Sequence, residues 1–291
     1  MDDCVIGITI KNNEKYLSKV FQHLIDLKKC FDKYSIIFVY DTNTPNVDLS
    51  FDLINTFKEN NDDINIELVH SDNELECNHV SLERRIVYIT NARNTIIRLI
   101  REKYVSYKYF IMMDANYSCT ENIQHINTYT LRSYLNRHNE WDALSFNRKS
   151  YYDMWALSLK PYITSYWHHI RGNPQNKTYN KIMHSTSNII RHNFNKCINK
   201  ISNGDLMEVD SAFCGFAIYK TDVFIRSKYH YVMDLTLFNT NDLNTNMRIL
   251  PFGEEIAKTP DCEHRYFHLY AKKHFGARVM MANIDMFTYT N

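Results

Sequence analysis

Residues 109–113, Tyr-Phe-Ile-Met-Met, form a continuous apolar run that ends on Asp114, followed by Ala115 and Asn116. A short apolar run without polar alternation is buried on both faces, which suits a parallel sheet covered by helices. In open α/β sheets the carboxyl ends of such strands are where ligands bind. Asp114 and Asn116 are two residues apart, so on extended backbone they project to the same side. Two oxygen donors there suit a hard divalent cation, Mn²⁺ or Mg²⁺, that takes its other ligands from phosphates and water. The same residues are also common turn formers after a core strand.

The surrounding segments repeat the pattern. Residues 4–10 and 35–40 are apolar strands, and residues 14–31 between them have helical spacing, so 4–40 is a right-handed βαβ unit. Asp41 follows the second strand, where an acid can hold a ribose hydroxyl or a base edge, or simply form a turn. Helices are expected over 51–57 and 81–104, and a strand over 64–69. Arg93 and Asn94 interrupt the apolar face of the second helix, which leads into the strand carrying Asp114. Residues 121–136 are expected to be one helix and 141–146 a strand. The core run 209–219 contains Gly215, a residue type that allows close backbone approach. Asp261 is an expected N-cap for a helix running to Phe275. Glu263 lies in its first turn, and His264 and His268 are four apart on one face. A strand over 278–283 closes the pattern.

With 34 basic and 33 acidic residues, the net charge of +1 excludes a global polyanion-binding signature, and no nucleic-acid partner is expected. No G-x-G-x-x-G or P-loop pattern is present, which argues against dinucleotide and P-loop sites. Seven widely spaced cysteines without C-x-x-C fit reduced thiols and a cytoplasmic protein. No apolar run is long enough for a transmembrane segment, and no signal peptide is recognised. Residues 154–204 lack acids and carry several Lys, Arg and His, among them His168, His169 and Arg171. They are expected to be a mobile basic insertion, about 156–204, or a lid over an anionic substrate.

In order, four blocks resemble the GT-A class of nucleotide-sugar glycosyltransferases. They are Asn91-Ala92-Arg93-Asn94; Met113-Asp114-Ala115-Asn116; residues 141–146 with Tyr152-Asp153-Met154-Trp155; and Asp261-Cys262-Glu263-His264. Within that class the chain looks most like fungal capsule-associated mannosyltransferases and related enzymes of large DNA viruses, which would place it in the host cytoplasm. The resemblance implies an α/β, GT-A (Rossmann-like) single domain over 1–291, with a mostly parallel central sheet flanked by helices. Residues 1–120 would form the nucleotide-sugar donor half and 121–291 the acceptor half. Asp114-Ala115-Asn116 would stand for the D-x-D metal motif, with Asn in place of the second Asp. Asp41, Arg93 and Asn94 would meet the donor nucleotide, and Asp114 and Asn116 the metal, joined by His264 and His268. Glu263 and Asp114 would be catalytic, with Glu263 taking the acceptor proton in an inverting enzyme. A UDP-sugar is expected before a GDP-sugar, and the acceptor is a glycan or other hydroxyl compound. A sugar-phosphate nucleotidyltransferase and a non-catalytic sugar-nucleotide binding module of the same fold are the alternatives.

Overall fold

A computed structural model of the chain describes residues 2–40, 48–72, 81–148, 153–165, 177–249 and 260–290. Asp41, Tyr152, His168, His169 and Arg171 lie outside the described residues.

The first half follows the expected alternation. Strand β1 (Cys4–Ile10) leads through α1 (Glu14–Lys28) to β2 (Tyr34–Tyr40), then α2 (Ser50–Glu59), β3 (Asn65–His70), α3 (Ser81–Lys103) and β4 (Tyr109–Asp114). The segment expected to be one helix over 121–136 is instead strand β5 (Ile123–Ile126) and helix α4 (Thr128–Asn136). Asn127 separates them by accepting a hydrogen bond from the Thr130 N–H at 3.0 Å, an N-cap. Next come β6 (Ala143–Phe146), α5 (Lys177–Ile198), β7 (Leu206–Glu208), β8 (Phe216–Lys220) and the short α6 (Thr221–Phe224). Helices α7 (Thr240–Ile249) and α8 (Glu263–Phe275), with strands β9 (Val279–Ala282) and β10 (Phe287–Tyr289), complete the order.

Eight strands form one sheet in the order β3-β2-β1-β4-β8-β6-β9-β7. Strands β1, β2, β3 and β4 are mutually parallel, β8 is antiparallel to both β4 and β6, β9 is parallel to β6, and β7 is reversed. The sheet is therefore mostly parallel, and the carboxyl ends of β1, β4, β6 and β9 share one edge. Strand β10 pairs with β5 in a separate two-stranded sheet.

Strand alternation fills two cores. Cys4, Ile6 and Ile8 face the core with α1, whereas Val5 faces that with α3. Gly7 lies on the second face, where a Cβ would stand 2.4 Å from Ile96 Cγ2, so α3 packs directly on the β1 backbone. The expected mobile insertion is, where described, packed structure. Ser158 bridges to Ser211, and Phe194 and Ile198 of α5 are buried in the second core. Ile190, Phe194 and Ile198 recur every four residues, a helical stripe that the many Asn and Lys around it obscured. Cys4, Cys30, Cys119, Cys214 and Cys262 are buried free thiols, while Cys197 is exposed. No helix among the described residues is long and apolar enough to cross a membrane.

Candidate active site

The centre of the site is Arg93, 3% exposed in the middle of α3. Its Nη2 lies 3.0 Å from Asp114 Oδ1 at the end of β4, and its Nη1 lies 2.7 Å from Glu263 Oε1 at the start of α8. The guanidinium also lies over the rings of Phe213 and Tyr229, at 4.9 and 5.8 Å from their centroids. Burial opposes the charge on Arg93, but Glu263 and Asp114 more than offset it and its pKa ends raised. The converse holds at Asp114, where burial and the Glu263 charge push the pKa up against the pull of Arg93.

A third acid belongs to this group. Asp153 accepts hydrogen bonds from the Trp155 and Ala156 N–H groups at 3.0 and 2.9 Å. Burial, then the charges of Glu263 and Asp114, push its pKa up to about 7 although the Ala156 N–H pulls it down. Asp114 and Glu263 thus pair with one guanidinium, and Asp153 feels the charges of all three.

The other expected residues divide. Asn94 is near the site but its side chain is committed elsewhere: Nδ2 donates to the Tyr229 carbonyl at 3.0 Å and Oδ1 accepts from the Tyr229 N–H at 2.8 Å. It pins the loop carrying Tyr229. Asn116 has extended backbone, and its Oδ1 accepts from the Ser118 N–H at 2.8 Å and the Ser118 hydroxyl at 2.5 Å, capping a 3-10 turn over Tyr117–Cys119. Its amide nitrogen, not its oxygen, faces Asp114 Oδ2 at 3.3 Å. With both lone pairs of that oxygen taken, the expected Asn116 ligand is in this arrangement a cap. His268 hydrogen-bonds through Nδ1 to the Ser211 hydroxyl at 2.8 Å and through Nε2 to the Tyr219 hydroxyl at 3.0 Å, leaving neither nitrogen for a cation. His264 stacks on Phe213 at 3.7 Å, and both its ring nitrogens are buried without a hydrogen-bond partner. Burial first, then the Arg93 charge, holds it neutral. Asp261 does not cap α8. Cys262 takes the N-cap position, and the Asp261 carboxylate accepts from the Cys262 N–H at 2.6 Å and pairs with Arg265.

Asp114 also borders a cavity of about 320 Å³ at the carboxyl ends of β1 and β4. Lys11, which follows β1, and Arg85 and Tyr88 on α3 line it. The Lys11 ammonium sits 5.1 Å from the Tyr88 ring centroid. Asn13 ties the two strand ends together, donating to the Ala115 carbonyl at 2.6 Å. These residues escaped the sequence reading, as did any role for Asp153. The strand-end logic that singled out Asp41 and Asp114 applies equally to Lys11. Arg85, Ile89 and Ala92 are spaced along one helical face leading to Arg93.

No protein-family model matches the chain, and no curated protein does. Similar solved structures include residues 1–349 of TarS from S. aureus, at 11% identity and TM-score 0.40, covering 99% of this chain and 60% of that one. That protein is also known in complex with UDP-GlcNAc. A mannosyltransferase from Pyrobaculum calidifontis, in complex with GDP-Man and Mn²⁺, is similar at 14% identity and TM-score 0.38, over 87% of this chain and 55% of that one. The mannosyltransferase Ktr4p from S. cerevisiae is similar at 14% identity and TM-score 0.39, over 100% of this chain and 70% of that one. The chain thus spans about 60% of the TarS fragment.

Proposed function

We propose that the chain is a glycosyltransferase that moves a sugar from a nucleoside-diphosphate sugar to a hydroxyl acceptor. The observation that carries this reading is the cavity at the strand ends, where Lys11 and Arg85 stand beside Asp114 and the carboxylate cluster around Arg93 lies behind it. Two cations around a strand-end cavity suit a diphosphate, and the Tyr88 ring offers a flat face for the base.

Among the described residues no group of three His, Cys, Asp or Glu is arranged to hold a metal ion. Of the expected ligands Asp114 lines the cavity and would hold a divalent ion there; His264, stacked on Phe213 with both ring nitrogens orphaned and Nε2 at 3.9 Å from Glu263 Oε1, does not line it. Mg²⁺ and Mn²⁺ sites commonly use few protein ligands and complete the shell with phosphate and water. Bound there, such an ion supplies charge stabilisation to the departing diphosphate. Lys11 and Arg85 hold the phosphates in place, and Arg93 fixes Asp114 and Glu263 relative to each other. In an inverting transfer the acceptor proton goes to Asp153 rather than to Glu263. Asp153 has a pKa near neutrality, whereas Glu263 is ion-paired to Arg93 and 5% exposed.

The test is thermal shift of the purified protein with UDP-, GDP- and CMP-sugars, each with and without Mn²⁺. One nucleotide class should raise the melting temperature, and Lys11→Ala with Arg85→Ala should remove the shift. Asp114→Ala should abolish transfer while the fold stays intact. A fully active Asp114→Ala protein overturns the reading. Slow donor hydrolysis without acceptor would set aside a purely binding role.

A further inference from the structure

A second cleft, about 780 Å³ in volume, opens on the same sheet edge beyond β8. It is larger than the donor cavity and lies toward the upper end of ordinary ligand sites. One wall is helix α5 and the turn after it. Arg191, Phe194, Asn195 and Asn199 fall at helical spacing on one face, and Asn203 follows beyond the helix end. The side-chain amides of Asn195, Asn199 and Asn203 make no hydrogen bond among the described residues, and all three are exposed. The opposite wall is the carboxyl ends of β6 and β9. There Asn147 Nδ2 donates to Asn283 Oδ1 at 3.1 Å, and Asn283 Nδ2 reaches the Ile201 carbonyl at 3.1 Å, fixing α5 against the strand ends.

The rim is aromatic and rigid. The Tyr289 hydroxyl accepts from Arg148 Nη2 at 2.9 Å and donates to Asp285 at 2.6 Å, and the Arg148 guanidinium lies 5.1 Å from the Phe287 ring centroid. Arg148 also donates to the Ser118 carbonyl, so the rim is joined to the turn that follows Asp114 and Asn116. Met154 lines the cleft and is the neighbour of Asp153. The cleft therefore reaches the residue next to the acid cluster and shares no lining residue with Lys11 and Arg85.

We propose that this cleft binds a saccharide of at least two sugar units, the acceptor of the transfer. The exposed amides of Asn195, Asn199 and Asn203 offer paired donors and acceptors without net charge, which match sugar hydroxyls. The exposed Tyr289 ring offers an apolar face to the C–H side of a pyranose, and the charge of Arg148 is spent on Tyr289, the Ser118 carbonyl and, at 3.9 Å, Asp285. The assignment of the saccharide as acceptor rests on the glycosyltransferase reading; saccharide binding itself does not.

The experiment is saturation-transfer NMR and calorimetry on the full chain with mannobiose, lactose and N,N′-diacetylchitobiose. It uses wild type, Asn195→Ala with Asn199→Ala, and Tyr289→Ala. UDP and GDP binding is measured on the same samples. At least one disaccharide should bind wild type, and the double variant should bind it about tenfold more weakly, the loss expected for two or so hydrogen bonds. Nucleotide affinity should not change. A wild-type protein that binds no disaccharide, or variants that bind it unchanged, overturn the cleft. Nucleotide binding with no disaccharide binding sinks the cleft alone. Disaccharide binding with no nucleotide binding sustains the cleft and sinks the transferase.

Discussion

The chain buries two arginines against carboxylates, and they differ in kind. Arg265 is 0% exposed on α8, pairs with Asp261 four residues earlier, and donates to the Ile163 carbonyl at 2.6 Å. It lines neither of the two cavities described above. Arg93 holds two acids from two different elements, and one of them, Asp114, forms a cavity wall. Burial and ion pairing alone do not mark a functional site. What separates the two is that Arg93 joins the ends of independent elements and leaves more acid than base around it.

That contrast can be broken by substitution. Arg265→Met strands Asp261 in the interior and should cost about 3–5 kcal/mol of stability, read from urea unfolding. The specific activity of the protein that remains folded should change little. Arg93→Met should do the reverse, lowering kcat about a hundredfold or more with a smaller stability loss, because Asp114 can take water from the cavity. Equal stability losses for the two variants would erase the distinction.

The acid cluster gives a pH test of intermediate size. Asp153 has a folded pKa of about 7, above its unfolded value near 4, so the native state keeps a proton that the unfolded state has shed. Its contribution to stability is therefore complete below pH about 4 and is lost as pH rises through about 7. Buried neutral histidines act in the opposite sense; burial holds His268 down to about 3, so acid destabilises the fold through it. Comparing Asp153→Asn with wild type across this window isolates Asp153, and the variant should gain relative stability as pH rises. A constant difference would remove Asp153 from the cluster. The smallest effect belongs to the surface. Arg98 pairs with Asp72 and Glu102 in the open, and Arg98→Ala should shift stability by less than about 1 kcal/mol.

Much of the fold was legible because β1, β2 and β4 are short apolar runs and β3 alternates, separated by helical stripes, a local signal. The unforeseen strands β5 and β10 pair residues about 160 positions apart in sequence, as Ile126 does with Phe287, and each is too short to show alternation. Helix α5 was hidden by its own polar face, which here lines a cleft. The site was legible in part for the same reason. Strand-end acids can be found by reading runs, but the commitment of Asn94 to Tyr229 and of Asn116 to Ser118 is tertiary and turn chemistry. The tripeptide Asn116-Tyr117-Ser118 did carry the hint, since Asn with Ser two residues on is a capping pattern.

Gly215 has φ +80°, and a Cβ built there would stand 2.7 Å from Ser118 Oγ and 2.8 Å from Cys119 Sγ. Its carbonyl also accepts the Asp114 N–H at 2.8 Å. The glycine thus works as a shim, setting the spacing between β8 and the turn that holds Asp114 in place. A single methyl group added at this position would displace the turn after Asp114 without altering Asp114, Arg93 or Glu263 themselves. Graded substitutions at Gly215 are therefore a means of asking how finely this kind of chemistry depends on placement alone.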